Sequence, residues 1–491
     1  MSALSMGSVV KGAGASKDYH VDFSPFLAAA EKVVGAVYAQ DPIGITIGSG
    51  AYASTIDDDG KGGTVWLQGG TPGIDYVITA TFTTDNVPPR IEQRTFTVVI
   101  ENTGNAAVEE RGWIDVVRDF GADYTGAQDT YEAFQLAIDA AKFGGVVRVP
   151  YGHYRLNTGL FLDFGVTMKG DGEGWKLGDR VFVDVPQTRA TFDIYDTVNP
   201  GITVWQDATL SQFNFYYPNQ NGAASTPTVY PASVKVTGLG AAVEGLAGIN
   251  PYWFIDWETN GGKASNITGY PLKWGFWCGR NGGGASFSDI NFTPVVWGTE
   301  LGATLQAWVQ ANAVAYVMDG GAEEISWDKI LCYGYDVGLL SQAFNASAIG
   351  SAGNLTNALF DTVNVGILVV SGLNFVGLRA DNVAMAINAT GAGIKFSDSG
   401  GAGYFSRPRL AGSRLQIRGV PGVGRSIWMV AGSRGFVEVD SSYLDDVTAP
   451  TAHVFADSAT SEVHLSRVII PTGGVRTAGA GTITDTQQRT V

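Results

Sequence analysis

The clearest periodic signal in the chain runs from Asp115 to Gly172. Asp129, with Glu132 three residues on, is placed to cap a helix, and Ala133, Phe134, Ala137, Ile138 and Ala141 recur at helical spacing as one apolar stripe. Gly144 and Gly145 end it. The beat then changes. Val146, Val147 and Val149 are strand formers, Pro150 and Gly152 mark a turn, and Tyr154, Leu156, Leu160 and Leu162 carry the apolar positions onward. This pattern predicts a short amphipathic helix covering the first strands of a sheet.

Upstream the period is two. Tyr19, Val21 and Phe23 alternate with polar residues, a short strand centres on Trp66, and Tyr76, Ile78, Ala80 and Phe82 point inward against Val77, Thr79, Thr81 and Thr83. After a turn at Asp85 to Pro89, Phe96, Val98 and Ile100 repeat the alternation. Residues 17–102 are therefore expected to form a small β-sandwich, preceded by a small-residue, flexible stretch over 1–16. The polar segment ENTGNAAVEERG leads into a linker over 103–114.

Downstream of Gly172 the chain repeats itself weakly. In three segments an Ile is followed eight positions later by a Gly: Ile267 and Gly275, Ile290 and Gly298, Ile330 and Gly338. The first two segments are 23 residues apart and the next 40, close to two coils or to one coil carrying an insertion. Short apolar strands with polar corners keep this rhythm to about Ile470, so residues 115–470 read as one solenoid. Residues 471–491 read as a loop-like tail.

The segment DFGADYTGAQDTYEAFQLAIDAAKFGGVVRVPYGHYRL resembles the opening of the pectate-lyase-like right-handed parallel β-helix superfamily, as found in phage tailspikes. The segment GGTPGIDYVITATFTTDNVPPRIEQRTFTVVI resembles the immunoglobulin-like domains of phage fibre-to-tail adaptor proteins. Together they imply an all-β chain: a small sandwich, then a right-handed parallel β-helix plugged by a capping α-helix. They also imply a virion tail protein that docks on a tail or baseplate protein through residues 17–102. Its expected partner at the cell surface is host capsule or lipopolysaccharide. A carbohydrate-binding or spacer sandwich is the alternative for the N-terminal module. The far end of the solenoid shows no second capping helix, and tailspike-like relatives are usually homotrimers, so a homotrimer is expected.

Composition narrows the function without choosing it. With 66 glycines and 16 % charged residues in 491, the chain suits many tight turns between short buried strands. A net charge of −16 argues against nucleic acid and against docking on anionic lipid. Cys278 and Cys332 are the two cysteines, expected as buried thiols. The first residues lack a signal-peptide core and no stretch is apolar enough to span a membrane, so membrane insertion is not expected. This favours a virion part released by lysis over a secreted pectinase. His20 and His153 read as structural, and no phosphate loop, histidine metal spacing or Ser/His/Asp arrangement points to a cofactor or metal.

The most suggestive chemistry lies in PYWFIDWETNGG. As a strand it places Trp253, Ile255 and Trp257 inward and Tyr252, Phe254, Asp256 and Glu258 outward, with the two carboxylates about 6 to 7 Å apart at their backbones. Rings for the apolar faces of sugars beside a carboxyl pair suit glycoside hydrolysis. A second acidic group, Asp319, Glu323, Glu324 and Asp328, follows some coils later, at about 10 to 14 Å if two or three strand spacings intervene. The candidate catalytic residues are thus Asp256, Glu258, Glu323, Glu324 and Asp328, with Tyr252, Phe254, Asp289, Glu300 and Arg280 as candidate substrate contacts. The bland reading makes the acids solvated turn and edge charges and gives a non-catalytic receptor-binding spike. A polysaccharide lyase is the third possibility, with Arg280 as its nearest basic residue.

Overall fold

The computed structural model describes residues 4–12, 16–28, 30–49, 52–71, 74–101, 112–171, 189–279, 282–293, 301–321, 324–342, 352–370, 377–397, 409–419, 425–430, 435–446, 454–457, 461–470, 477–478, 480–486 and 489–490. The chain divides into two compact units, Met1–Ile114 and Asp115–Val491.

The first unit is built from the period-two segments. One sheet runs in the order β1 (Leu4–Gly12), β8 (Ile91–Glu101), β7 (Asp75–Thr84), β3 (Val33–Asp41); the other holds β2 (Ser16–Asp22), β6 (Gly62–Gly69) and β4 (Ile45–Ile47), with β5 (Thr55–Ile56) beside β6. Alternation aims Tyr76, Ile78, Ala80, Phe82, Val98 and Ile100 into a core with Val21, Phe23, Val65 and Leu67. Trp66 points the other way and packs on Tyr52, ring centroids 5.1 Å apart. The stretch expected to be flexible instead supplies β1, which runs parallel to β8. Its small residues fit a sheet edge as readily as a loop, so composition misled. The expected linker lies almost wholly outside the described residues.

The second unit is a stack of parallel strands, each hydrogen-bonded to its equivalent in the next coil. Its opening contains a five-residue helix that periodicity missed, α1 (Val116–Phe120), capped by Asp115, whose Oδ1 accepts from the N–H groups of Val117 and Arg118. The expected amphipathic helix is α2 (Tyr131–Ala140). Asp129 stands one residue ahead of its N-cap position, Thr130, yet still accepts from Tyr131 N and from Asn157 N, tying helix to sheet. Phe134, Ala137 and Ile138 are fully buried. The Phe134 ring meets Tyr154 and Phe192 edge-on at 5.1 and 5.3 Å. From there a spine of rings, Phe192, Phe215, Phe254, Phe292, Tyr316 and Phe360, runs coil by coil through the interior at 5.2–6.2 Å spacings.

The repeat read from the sequence is the register itself. Ile267, Ile290 and Ile330 are direct partners in adjacent coils. The 40-residue interval is thus one coil with an insertion, which contains helix α3 (Ala303–Asn312). Two of the three recurring glycines have a packing cause: a Cβ on Gly275 would sit 2.1 Å from Ala315 O, and one on Gly338 would sit 2.7 Å from both Gly366 O and the Phe360 ring; Gly298 lies outside the described residues.

One corner of the coil is also a ladder. Asn266, Asp289, Lys329, Asn357, Asn382, Arg414, Ser441 and Arg467 follow in-register partners and all take left-handed backbone, φ 50 to 55°. Asn and Asp tolerate this conformation best, which explains part of the ladder's composition. The tail expected to be loop-like extends the stack instead: residues Thr477–Ala478, Thr482–Thr486 and Arg489–Thr490 pair with the preceding coil.

Candidate functional site

One outer sheet of the solenoid brings the chemistry together. Its strands are β9 (Leu160–Leu162), β10 (Ile202–Val204), β11 (Ala232–Val236), β12 (Trp253–Trp257), β13 (Trp274–Cys278), β14 (Val314–Met318) and β15 (Val337–Gln342), paired in that order. Parallel pairing keeps like positions in line, so a side chain on the outer face stands directly over its partner in the next coil.

On β12 the backbone does not alternate as a flat strand would. Phe254 and Ile255 are both fully buried, Asp256 faces outward but is only 4 % exposed, Trp257 is buried, and Trp253 is half-exposed. The expected outward Phe254 is therefore corrected: it belongs to the interior ring spine. The expected inward Trp253 is corrected too, for its ring stands with Trp277 at 5.5 Å, and Trp277 with Trp274 at 4.9 Å. These three indoles form the aromatic strip that the sequence assigned to Tyr252 and Phe254. Tyr252 is half-buried at the approach to β12.

Asp256 and Glu258 lie together as expected, and a residue not foreseen joins them. Lys235 of β11 reaches both, its Nζ 3.7 Å from Asp256 Oδ2 and 3.0 Å from Glu258 Oε2. Burial opposes the Lys235 charge, but the Glu258 hydrogen bond and the attraction of Asp256 outweigh it, so its pKa is raised.

The second acidic group splits. Asp319 continues β14, its N–H donating to Cys278 O just as Gly279 donates to Trp257 O and Glu258 to Val236 O. Glu258, Gly279 and Asp319 therefore occupy one line on successive coils. Asp319 is 4 % exposed, and its Oδ1 accepts from Gly320 N. Burial pushes the Cys278 thiol up, with Asp256 and Asp319 both adding to the shift. Gly279 keeps the line open: a Cβ there would lie 2.9 Å from Trp277 Nε1 and 3.6 Å from Asp319 Cβ.

The other expected residues fall elsewhere. Asp328 and Asp289 sit at the left-handed corner ladder of a different sheet. Asp328 Oδ1 accepts from Thr356 Oγ1 at 2.8 Å and Asn357 Nδ2 at 2.7 Å, and these bonds outweigh its desolvation to lower its pKa. Asp289 is paired loosely with Lys329 at 3.7 Å. Glu324 is exposed just ahead of the strand Ile325–Tyr333. Arg280, Glu300 and Glu323 lie outside the described residues. His153 is held by Asp193 at 2.9 Å on another sheet, a bond that raises its pKa, and His20 by Asp57 at 2.7 Å in the first unit. Both cysteines are buried free thiols.

Helix α3 is tied to residues that lead into strands of this sheet. Lys273 Nζ donates to Asn312 O at 2.5 Å and Asn364 Nδ2 to Gln310 O at 2.9 Å, one residue before Trp274 and Val365 respectively. On the same sheet Val314, Val317, Val337, Leu340 and Val365 form a buried apolar cluster against which Trp274 and Trp277 pack. Among the described residues no group of three His, Cys, Asp or Glu side chains could hold a metal ion, and no helix is long and apolar enough to cross a membrane.

The chain is thus a β-sandwich followed in sequence by a parallel β-helix with acids and indoles on one outer sheet. Comparisons bear out both resemblances read from the sequence. Residues 11–99 match the family model of the podophage GP4 fiber-tail adaptor protein gp77, and residues 113–222 match that of the rhamnogalacturonase A/epimerase, pectate lyase-like family. No curated protein matches the chain. Among solved structures, a tailspike protein mutant of E. coli bacteriophage HK620 in complex with a pentasaccharide is similar at TM-score 0.51 and 11 % identity, covering 79 % of this chain and 74 % of that one. A second mutant of that tailspike, in complex with a hexasaccharide, has TM-score 0.46 and 11 % identity over 82 % and 80 % of the two chains. A Yersinia enterocolitica family 28 exopolygalacturonase has TM-score 0.34 and 12 % identity over 97 % and 99 %. The fold is that of a right-handed parallel β-helix.

Proposed function

We propose that this protein is a phage tail spike component that attaches to the virion through its N-terminal sandwich and uses the acidic, indole-lined sheet to bind and hydrolyse a bacterial surface polysaccharide. The adaptor match of residues 11–99 supports attachment to a tail protein. The likeness to a pentasaccharide-bound tailspike supports a saccharide ligand.

The observation that carries the hydrolytic reading is the pairing of Asp256 and Asp319, each 4 % exposed, on alternate coils beside Trp253, Trp274 and Trp277. Buried carboxylates favour unequal protonation, which is what a general acid and base require. Two strand spacings and a two-residue offset along the strand put their backbones about 12 Å apart, so the side chains must reach toward each other to enter the roughly 6.5 to 9.5 Å window in which one carboxyl protonates the leaving oxygen while the other activates water on the opposite face. The closer pair, Asp256 and Glu258, shares the Lys235 cation, which suits that pair to the base role and leaves the acid role to Asp319.

The test is an assay for new reducing ends with purified bacterial capsular polysaccharides and O-antigens. Asp256→Asn with Asp319→Asn is expected to reduce cleavage by about 10²-fold or more while binding persists. Cleavage that survives the double substitution refutes this site. An unsaturated, ultraviolet-absorbing product would instead establish the lyase reading.

A further inference from the structure

On the coils that precede the carboxylates, the outward positions are in register with the strip. Phe161, Thr203, Lys235, Asp256 and Trp277 form one line from β9 to β13. Trp205, Thr237 and Glu258 form the next, each following the aligned residues Val204, Val236 and Trp257, with Thr237 N donating to Val204 O and Glu258 N to Val236 O.

Two large rings stand at the head of these lines. Phe161 is 41 % exposed and Trp205 40 %, with ring centroids 6.3 Å apart and planes inclined by 36°. Phe161 is held in place by the plug helix: the Gln135 side chain donates to Phe161 O at 3.2 Å and accepts from Phe161 N at 3.1 Å, which also satisfies the open edge of the first strand.

We propose that Phe161 and Trp205 form an outlying sugar subsite of the same groove, so that the polysaccharide lies along the solenoid axis, across the strands, from the carboxylates toward the plug helix. The inference rests on the polysaccharide reading given above. Two to three strand spacings, about 10 to 14 Å, separate the rings from Glu258 and Asp256. The rings offer apolar surface to the faces of pyranoses, which lose little by leaving water there. Half-buried Thr203 and Thr237 lie between and offer hydroxyls that donate and accept to the polar edges of the chain.

The experiment measures binding of the whole protein to the bacterial polysaccharide, from a purified capsule and O-antigen panel, that the unsubstituted protein retains, comparing full-length polymer with short fragments. Trp205→Ala and Phe161→Ala are each expected to weaken binding of the polymer roughly tenfold, the scale of one lost aromatic contact. Binding of the shortest fragments that still bind stays unchanged, and Trp205→Tyr restores most of the polymer affinity. Equal affinity for polymer in both alanine variants, with unchanged thermal stability, overturns the subsite while leaving the carboxylate site intact. A changed oligomeric state in Trp205→Ala also overturns it, because the rings would then belong to an interface between copies. Failure of every polysaccharide to bind the unsubstituted protein overturns the polysaccharide reading and the subsite with it.

Discussion

Glu258 and Asp319 stand in one line two coils apart with only Gly279 between them. In a parallel stack every coil offers a side chain to that line, so a gap exists only where a coil contributes glycine. The two acids flank a notch that is one residue wide.

Filling the notch tests its importance. Gly279→Val is expected to displace the Trp277 indole, whose Nε1 would lie 2.9 Å from the new Cβ, and to reduce cleavage at least tenfold. Gly279 is itself buried, so a loss of melting temperature accompanies the substitution. Reducing-end assays beside thermal unfolding separate the two effects, and unchanged turnover would show that the notch plays no part.

Lys235→Met removes the cation shared by Asp256 and Glu258. A carboxylate that loses a neighbouring positive charge protonates more easily, so the acidic limb of the pH–rate profile should move to higher pH. The stability effect has its own sign. Lys235 has a raised pKa in the folded chain, so its contribution is complete below the unfolded value of about 10.4 and is lost as pH rises through the folded value. From about pH 6 to about pH 9 the stability difference from the unsubstituted protein is expected to be flat. Titrated unfolding by circular dichroism checks it.

Phe254→Ala distinguishes a core ring from a ligand contact. Its ring lies between Phe215 and Phe292 in the spine and is fully buried, so the substitution should cost about 3 to 5 kcal/mol of stability. Affinity for saccharide in the fraction that remains folded should be unchanged. Denaturant unfolding and a binding titration read the two quantities, and an intact stability with weakened binding would return Phe254 to the surface.

Much of the fold was legible because it depends on local signals. The stripe of Phe134, Ala137 and Ile138 specifies a helix wherever it lies, and the alternation of Tyr76, Ile78, Ala80 and Phe82 specifies a half-buried strand. The recurrence of Ile267, Ile290 and Ile330 is a direct image of coil register, since each position in a stack must fill the same space as its neighbours. Asp256 and Glu258 could be found because both lie on one strand next to aromatic residues.

What the sequence could not reveal is which neighbours the coils select. Phe254 and Ile255 are neighbours and both are buried, the Phe254 ring between Phe215 and Phe292 of other coils, and a period-two reading of five residues cannot foresee this. Lys235 joins Asp256 through inter-coil register, and Asp319 parts from Asp328 because the chain crosses from one sheet to another between them. Local pattern alone determined the helix plug, the sandwich and the repeat, since each is decided by the burial of residues a few positions apart. The stacking of coils decided the site, because it sets side chains tens of residues apart on one outer line at a single strand spacing per coil.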